Sequence, residues 1–458
     1  MKRRRLLQGG AAASALPLLA PVTLSGCSGS DQPNIYLQGN YGPVDVESTV
    51  TELTVTGTLP PELSGRFLRN GPNPGPEINT GNHHWFIGAG MVHGLCLQEG
   101  RAAWYRNRYV GGSSANTNVI GHAGKTLAIV ESGGIPQNMA YDLSDVGVNE
   151  AIGGGFTAHP KLDPDTGELH AICYDWANLR DHVRYVVIDA DGEWADETEI
   201  ALPGMPMIHD MSITENYAVI YDLPVTLSFM ALGTGATFPF RWDAEYEPRV
   251  GLLPKGGESG DIIWRSVNPN YAFHPMNAYE DGEGNVVIDI VRYEKMFEND
   301  VLGPFGDSDP RLDRWTLSVA DSNTAVREEV IDARGQEFPR CHPDLNGKPY
   351  RYGYAVAVDG YSFPSIYKHD LQAGTTTQFD VGPGRHSAEP VFVPRQGGVD
   401  EDDGYLMTFV YDEGKNTSDF IVLDASDLSR PALATVHLPV RVPYGFHGNW
   451  VPDSVVPA

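Results

Sequence analysis

The chain has 458 residues, of which 60 are acidic and 32 are basic. Its formal net charge of −28 repels nucleic acid and anionic lipid head groups, which excludes electrostatic binding to either as the basis of function. Hydrophobic residues make up 41% of the chain and aromatic residues 10%, enough to bury a large core. The 51 glycines and 34 prolines indicate many turns rather than long helices.

The first 27 residues have the features of an export signal that ends in a lipidation site. Four basic residues, at positions 2–5, precede the apolar stretch Leu6–Ala20, which is the order found in secretory signals. This stretch is too short, and too broken by Pro17 and Pro21, to be a membrane-spanning helix. The sequence Leu24-Ser25-Gly26-Cys27 resembles a lipobox with Cys27 as the lipid acceptor, and the adjacent arginines resemble a twin-arginine signal. We therefore expect an exported protein that is lipid-anchored at the cell envelope.

The chain is predicted to have three parts: the signal (1–27), a flexible tether (28–44) and one folded domain (45–458). The tether is rich in Ser, Gly, Pro and Asn, a composition typical of linkers. Beyond Cys27 only three cysteines remain and none forms a CxxC pair, which argues against a disulfide framework or a cysteine metal site. We expect ordinary buried thiols at these positions, which are Cys96, Cys173 and Cys341.

From about residue 50 onward, short runs of β-branched and aromatic residues alternate with turn residues. The clearest runs are 185–189, 217–221, 286–291, 353–358, 405–411 and 420–424. Turn sequences such as Ala190-Asp191-Gly192 lie between them. Short strands at this spacing predict an all-β sandwich, barrel or propeller.

A weak internal repeat favours the propeller among these architectures. Residues 367–379 and 422–438 share a strand, an Asp-containing turn and a second strand. Propeller blades commonly end in such hairpins, and roughly 400 residues would fill six to eight blades. The sequence therefore predicts a single β-propeller domain.

Four histidines share a setting that differs from that of the other ten. Each has apolar neighbours and lies beside Pro, Gly or Asp, and the four are His159, His209, His274 and His447. A lone histidine in such a place is usually a buried structural residue. Separations of 50, 65 and 173 residues, however, would let different blades each offer one imidazole at a central axis. Neutral imidazoles suit Fe, Zn, Cu and Ni, whereas structural zinc more often uses cysteine.

Three glutamates beside apolar runs are candidates for orienting these histidines. They are Glu131, Glu337 and Glu389. A carboxylate that accepts the second ring N–H of a metal-bound histidine fixes its tautomer and offsets the charge of the ion. The alternative for each glutamate is a surface carboxylate at the end of a strand.

An ordered set of motifs, running from about Gly57 to Trp450, resembles the carotenoid cleavage oxygenases. The motifs are Gly65–Pro74, His84–Phe86, Gly90–His93, Thr157–Pro160, Ile208–Asp210, Phe273–Pro275, Glu337–Pro339, Glu389–Pro394 and Gly445–Gly448. The resemblance implies a seven-bladed β-propeller with one Fe(2+) per chain on its axis and a cap of loops and short helices over a substrate tunnel. It makes the four histidines the metal ligands and the three glutamates their partners, with His159 the ligand that lacks a glutamate. It makes His93 a structural residue.

The implied reaction adds both atoms of O2 across a C=C double bond of a carotenoid or apocarotenoid and yields two carbonyl products. Alternatives that remain open are cleavage of phenolic stilbenes, isomerohydrolysis of retinyl esters, and ligand binding without catalysis. The chain departs from the family at Ile87-Gly88-Ala89-Gly90, where two aspartates are usual. The expected partners are an apolar polyene and O2, with no nucleic acid.

Two features bear on the substrate and on the membrane. Residues Leu223–Phe240 contain no charge, and we expect them to form an apolar lid at the tunnel mouth, with Phe229, Met230 and Phe238 facing substrate or membrane. A buried connection inside the propeller is the alternative. Val130 stands directly before Glu131, where relatives that cleave stilbenes carry a lysine, and this favours a carotenoid-like substrate.

Overall fold

The computed structural model describes residues 34–111, 114–321 and 324–458. The predicted export signal, the lipidation site at Cys27 and the first part of the tether, residues 28–33, lie outside these ranges. Within them the chain forms 33 short strands and one α-helix, α1 (Phe229–Gly233). Single turns of 3-10 helix lie at Ile35–Leu37, Gly39–Tyr41, Trp176–Asn178, Ser259–Asp261 and Pro343–Leu345. None of the described helices is long and apolar enough to cross a bilayer.

The strands follow one another along the whole described chain. The first nineteen are β1 (Thr49–Val50), β2 (Thr54–Gly57), β3 (Gly65–Asn73), β4 (Ala89–Gln98), β5 (Arg101–Tyr109), β6 (Asn118–His122), β7 (Lys125–Ile129), β8 (Gln137–Met139), β9 (Asp145–Val148), β10 (Lys161–Leu162), β11 (Leu169–Cys173), β12 (His182–Ile188), β13 (Trp194–Ala201), β14 (Met211–Ile213), β15 (Tyr217–Asp222), β16 (Val225–Leu227), β17 (Phe240–Trp242), β18 (Arg249–Pro254) and β19 (Ile263–Ser266). The remaining strands are β20 (Pro275–Glu280), β21 (Asn285–Arg292), β22 (Arg311–Ser318), β23 (Arg327–Asp332), β24 (Gln336–Cys341), β25 (Tyr352–Ala357), β26 (Ser365–Asp370), β27 (Thr375–Asp380), β28 (Arg385–Ser387), β29 (Val391–Pro394), β30 (Gly404–Asp412), β31 (Thr417–Asp424), β32 (Ala434–His437) and β33 (Gly448–Pro452).

These strands build a seven-bladed β-propeller, as expected. Blade 1 is β6 to β9, blade 2 is β10 to β13, and blade 3 is β14, β15, β18 and β19. Blade 4 is β20 to β23 and blade 5 is β24 to β27. Blade 6 combines β28 to β32 with β2, and blade 7 combines β33 with β3, β4, β5 and β1. The strands nearest the axis contact one another from β10 round the ring to β6.

The ring is closed by pairing the two ends of the chain. C-terminal β33 pairs with β3 in blade 7, and N-terminal β2 pairs with β32 in blade 6. Pairing within a blade is antiparallel throughout the described sheets, and blades 1, 2, 4 and 5 are meanders of consecutive strands. Long-range closure of this kind fixes the blades against one another and gives the axis a defined geometry.

The strands that we predicted from the sequence are confirmed, and burial explains their patterns. Strand β21 is buried along almost all of its length, and its apolar run is interrupted only by Asp289, which pairs with Arg314. Outer strands such as β13 and β23 are exposed and carry acidic residues, which discourages edge-to-edge association. The largest hydrophobic cluster joins blades 2, 3 and 4 and includes fully buried Trp315.

The described part of the predicted tether is folded rather than flexible. Residues 34–44 form two 3-10 turns, and Tyr36 and Tyr41 are 1% and 6% exposed in an aromatic cluster with Trp85. Arg441 donates hydrogen bonds to the carbonyl oxygens of Gly42 and Pro43 at 2.8 and 2.7 Å. The linker-like composition did not predict this folded structure, because the residues that bury the two tyrosines are distant in sequence.

The charge-free segment 223–240 divides into a buried base and an exposed tip. Strands β16 and β17 form a hairpin whose core-facing residues are buried. Helix α1 lies at the tip, where Phe229 is 59% and Met230 80% exposed. The buried connection therefore describes the base of the segment, while the role of its exposed tip as an apolar lid stays a prediction.

Candidate metal centre

The four histidines occupy the same structural position in four blades. His159, His209, His274 and His447 each lie immediately before the strand nearest the axis, at the starts of blades 2, 3, 4 and 7. The loop before β33 approaches β3 so closely that a Cβ at Gly71 would lie 2.6 Å from the Cα atom of Gly445. Local turn residues and ring closure thus bring the four side chains to one point on the axis.

The cluster is compact and buried. One ring nitrogen from each histidine lies within 4.8 Å of those of the other three, and each residue is at most 7% exposed. The Nε2 atoms of His159 and His209 are 3.0 Å apart, and those of His209 and His274 are 3.2 Å apart. The Nε2 atoms of these three histidines therefore converge.

Three of the histidines are held from behind by the three glutamates. The Nδ1 atom of His209 lies 3.0 Å from Oε2 of Glu131, and that of His274 lies 2.7 Å from Oε2 of Glu337. The third pair is His447 and Glu389, with 3.0 Å between Nδ1 and Oε1. The glutamates come from blades 1, 5 and 6, so all seven blades contribute one residue to this assembly.

His159 has no glutamate, but an aspartate lies beside it. Its Nδ1 atom is 3.7 Å from Oδ2 of Asp210, too far for a direct hydrogen bond. The Asp210 carboxylate is held by Lys161, whose Nζ lies 2.9 and 2.8 Å from its two oxygens. Sequence reasoning assigned Asp210 no role, although the residue stands within the Ile208–Asp210 motif.

Two further residues act on the glutamates and were also missed. Arg340 donates from Nε to Oε1 of Glu389 at 2.8 Å, and Tyr293 donates from its hydroxyl to Oε1 of Glu337 at 3.0 Å. Arg340 lies in the Glu337-Phe338-Pro339-Arg340 sequence, so its motif was visible. Nothing in the sequence signalled Tyr293.

An irregularity in β24 allows this one strand to carry both Glu337 and the arginine that binds Glu389. The pairing register with β25 shifts between Glu337 and Arg340, and Phe338 in the bulge has a positive φ of 52°. A left-handed phenylalanine is strained, and such residues concentrate at functional sites. The bulge directs Glu337 to His274, directs Arg340 to Glu389 and stacks the Phe338 ring on His274 at 5.4 Å.

Burial favours the neutral imidazole in three of the four histidines. It lowers the pKa of His159 well below the usual value, and it lowers the pKa of His274 and His447 although each has a carboxylate partner. Burial also acts on His209, but Glu131 and other carboxylates outweigh it and raise the pKa of that ring. Neutral imidazole is the form that ligates a metal ion.

The protonation pattern of the cluster fits a transition-metal cation. In the neutral form of His209 and His274, a ring that donates from Nδ1 to its carboxylate carries its lone pair on Nε2, and these two Nε2 atoms are 3.2 Å apart. Two lone pairs repel, whereas a cation between them binds both. Imidazole donors without cysteine suit Fe, Zn, Cu and Ni ions. The cluster is therefore a candidate metal centre.

A largely aromatic cavity of about 240 Å³ leads to the centre. His209, His274 and His447 lie in its wall, and ten of its 23 lining residues are Phe, Tyr or Trp. Of the four residues predicted to face substrate or form a lid, Val130 and Phe238 line the cavity, whereas Phe229 and Met230 do not. The altered loop after the aromatic pair also contributes, through Ile87 and Gly88. Aromatic walls of this kind suit a flat, apolar ligand.

The fold and the site together define a class of protein. Its members are β-propellers in which four buried histidines meet at the axis, beside a largely aromatic cavity. A family model described as retinal pigment epithelial membrane protein matches residues 41–112 and 111–452. The chain is 40% identical to a carotenoid cleavage oxygenase of Mycobacterium tuberculosis, covering 93% of this chain and 99% of that protein. It is 30% identical to the apocarotenoid-15,15'-oxygenase of Synechocystis, covering 94% and 99%. The chain belongs to the carotenoid cleavage oxygenase family, and it is an oxygenase.

Solved structures agree with this assignment. The lignostilbene dioxygenase of Pseudomonas brassicacearum superposes with a TM-score of 0.83 at 25% identity, covering 91% of this chain and 98% of that one. A cobalt-substituted Synechocystis ACO superposes with a TM-score of 0.81 at 27% identity, covering 90% and 97%.

If the three glutamates orient the ligands, their amide variants will fold but bind metal more weakly. We expect Glu131→Gln, Glu337→Gln and Glu389→Gln each to lower metal affinity on the order of 10- to 100-fold, because a neutral acceptor orients and polarises imidazole less well. Metal titration measures the affinity, and thermal unfolding of the metal-free proteins checks the fold. Asp222→Asn is the matched control, since Asp222 is fully buried and pairs with Arg249 in blade 3. Wild-type affinity in all three Gln variants would refute the orienting role.

Proposed function

We propose that this chain is an Fe(II)-dependent dioxygenase that cleaves a C=C double bond of a carotenoid or apocarotenoid into two carbonyl products. The observation that carries the proposal is the convergence of four buried imidazoles, three of which lie in the wall of an aromatic cavity. His159, His209, His274 and His447 would hold one ferrous ion, with Glu131, Glu337 and Glu389 behind three of them. The bound iron would supply the activation of dioxygen.

The chain's own residues bind and orient the substrate. Aromatic side chains such as Phe86, Phe273 and Phe338 line the cavity next to the histidines and offer flat surfaces to a conjugated chain. Their packing excludes water and keeps one double bond of a rigid polyene at the centre, which lowers the entropic part of the barrier. No side chain needs to transfer a proton, because the C=C and O=O bonds break as two C=O bonds form.

The first test identifies the metal and the reaction. We expect the active protein to contain about one Fe(II) per chain, because the centre offers only neutral ligands of the type that iron accepts. His209→Ala or His274→Ala should abolish turnover, since each removes one of the four donors. Cleavage under 18O2 should place one labelled oxygen atom in each carbonyl product. Stoichiometric zinc that iron cannot replace, or unlabelled products, would overturn the proposal.

A second candidate substrate class is phenolic stilbenes, because a lignostilbene dioxygenase is among the similar structures. Recognition of a phenol inside an apolar cavity needs a polar partner for its hydroxyl group. Val130 lines the cavity beside Glu131, and no lysine or arginine is among the described residues that line it. A phenol would depend on neutral partners in the wall, such as Asn116 or Ser132, in place of a cation. Hydrogen bonds to a charged group are the stronger ones, so the missing lysine favours the carotenoid-like substrate.

Side-by-side assays with an apocarotenal and a hydroxystilbene test this choice. We expect kcat/KM to be about tenfold higher for the apocarotenal, which corresponds to the difference between a charge-assisted and a neutral hydrogen bond to the phenol. Val130→Lys should narrow the ratio by giving the phenol a charged partner, whereas Val130→Leu serves as the volume control. Faster cleavage of the stilbene by the wild type would reverse the assignment.

We further propose that the protein is exported, lipid-anchored at Cys27, and oriented with α1 toward the membrane. Asn34, the first described residue, donates from its side chain to the carbonyl oxygen of His83 at 2.8 Å. Thr237, which follows α1, donates to the carbonyl oxygen of Asn82 in the same loop at 2.7 Å. The start of the described chain and the apolar helix are therefore neighbours, so an anchor before Asn34 would bring α1 to the bilayer. Such an orientation would let a lipid-soluble polyene enter from the membrane.

Vesicle binding by a Cys27→Ser protein isolates the contribution of α1. We expect Phe229→Glu and Met230→Glu to reduce association with neutral phosphatidylcholine vesicles several-fold without lowering the melting temperature, because both side chains are exposed. Val399→Glu is the matched control, since Val399 is 92% exposed in a loop of blade 6. Unchanged partitioning of the α1 variants, or an equal loss in the control, would contradict the membrane-facing role.

A further inference from the structure

Residues 34–44, which we call the N-terminal segment, are built into the propeller beside the cavity. Tyr36 and Tyr41 project from its two turns and are almost fully buried. The segment is tied down along its length by hydrogen bonds to residues remote in sequence. The backbone N–H of Tyr444 donates to the carbonyl oxygen of Asn40 at 2.7 Å, and the backbone N–H of Val44 donates to the side chain of Asn73 at 2.8 Å.

The rings of both tyrosines pack against Trp85, a residue of the cavity wall. The Tyr36 ring is stacked on the Trp85 ring with centroids 5.8 Å apart and planes at 13°, and the Tyr41 ring meets it edge-on at 5.2 Å. On its other sides Trp85 contacts Phe446 at 4.9 Å and Phe305 at 5.8 Å, and all three line the cavity. Trp85 is thus held between the N-terminal segment and its neighbours in the wall.

The same segment also supports the two other loops that carry these aromatic residues. A side chain at Gly303 would collide with the Tyr36 ring, so the loop that bears Phe305 lies directly on that tyrosine. The Tyr41 ring meets the Tyr444 ring at 4.7 Å, three residues before His447. Three wall loops from distant parts of the chain therefore meet on two side chains of the N-terminal segment.

We propose that Tyr36 and Tyr41 are positioning residues that set the shape of the substrate cavity by fixing Trp85, Phe305 and Phe446. The inference rests on the proposed polyene-cleaving function and deepens it. A rigid conjugated chain cannot adapt to a wall that moves, so the rings behind the wall govern how tightly and in which register it binds. The glutamates orient three of the metal-centre histidines, and among the described residues neither tyrosine shares a hydrogen bond or a ring contact with any of the four.

The test separates substrate positioning from chemistry and from stability. Tyr36→Leu and Tyr41→Leu keep apolar volume but remove the rings, and we expect KM for an apocarotenal to rise on the order of tenfold, the scale of a lost aromatic contact. We expect kcat to stay within about twofold of wild type, the pattern of lost uniform binding. Metal content should be unchanged, and amide exchange should quicken in residues 302–305 and 444–446. Tyr36→Phe retains the ring and should behave as wild type.

Phe420→Ala is the control for general destabilisation. Phe420 is fully buried against Phe67 at 5.0 Å and Phe409 at 5.5 Å in blade 6, away from the cavity. It should leave KM unchanged. Wild-type KM in folded Tyr36→Leu and Tyr41→Leu, or an equal rise in the control, would overturn the inference.

A failure of the proposed function gives a different result. If the wild type cleaves no polyene, the cleavage proposal falls, and the positioning inference is judged on binding alone. Binding of an apocarotenal to the metal-free proteins is followed through the absorbance of the polyene and requires no turnover. Weaker binding in both Leu variants supports the inference, and equal binding refutes it.

Discussion

The structure depends on holding the lone pairs of several imidazoles toward one point. Such an arrangement is unfavourable for the protein alone, since the Nε2 atoms of His159, His209 and His274 approach to 3.0 and 3.2 Å. A flexible site would relieve the repulsion by turning the rings away. A propeller resists this because each histidine lies just before the strand nearest the axis in its blade, and that strand packs between the innermost strands of the neighbouring blades. Carboxylates on the Nδ1 side then fix the tautomer and the rotation of three of the rings.

The charges around the centre are distributed unevenly. Glu389 is paired with Arg340 and Asp210 with Lys161, so the carboxylates beside His447 and His159 are largely compensated. Burial alone raises the pKa of Glu389, but Arg340 and His447 outweigh it and hold the carboxyl ionised. In the described chain, Glu131 and Glu337 pair with no lysine or arginine. Their uncompensated charge lies behind His209 and His274, where it would offset a dipositive ion.

Much of the fold and the centre could be predicted because the signals were local. A β-branched run followed by Asp and Gly predicts a strand and its turn. Four histidines beside Pro, Gly or Asp predicted a cluster at the axis. What could not be predicted depends on contacts across the ring. Arg340 reaches Glu389 only because Phe338 adopts a positive φ in a bulge, which no residue pattern announced. The burial of Tyr36 likewise depends on Trp85 and on the loop at Gly303, 49 and 267 residues further along the chain.

Amino-acid composition alone did not predict which parts of two segments are buried and which are exposed. The charge-free segment 223–240 is uniformly apolar in sequence, yet its base is buried and α1 presents Phe229 and Met230 to solvent. The N-terminal segment is the reverse case, since its polar, glycine-rich sequence resembles a linker while its two tyrosines are buried. These elements lie on either side of the loop at residues 80–83, which Asn34 and Thr237 both contact. Helix α1 and the N-terminal segment are therefore on the same side of the molecule. There α1 is exposed to solvent, and the N-terminal segment extends inward to Trp85. If substrate enters beside α1, as proposed, its entry and the shape of the cavity would be structurally joined at this loop, and the histidines that would hold the metal ion take no part in it.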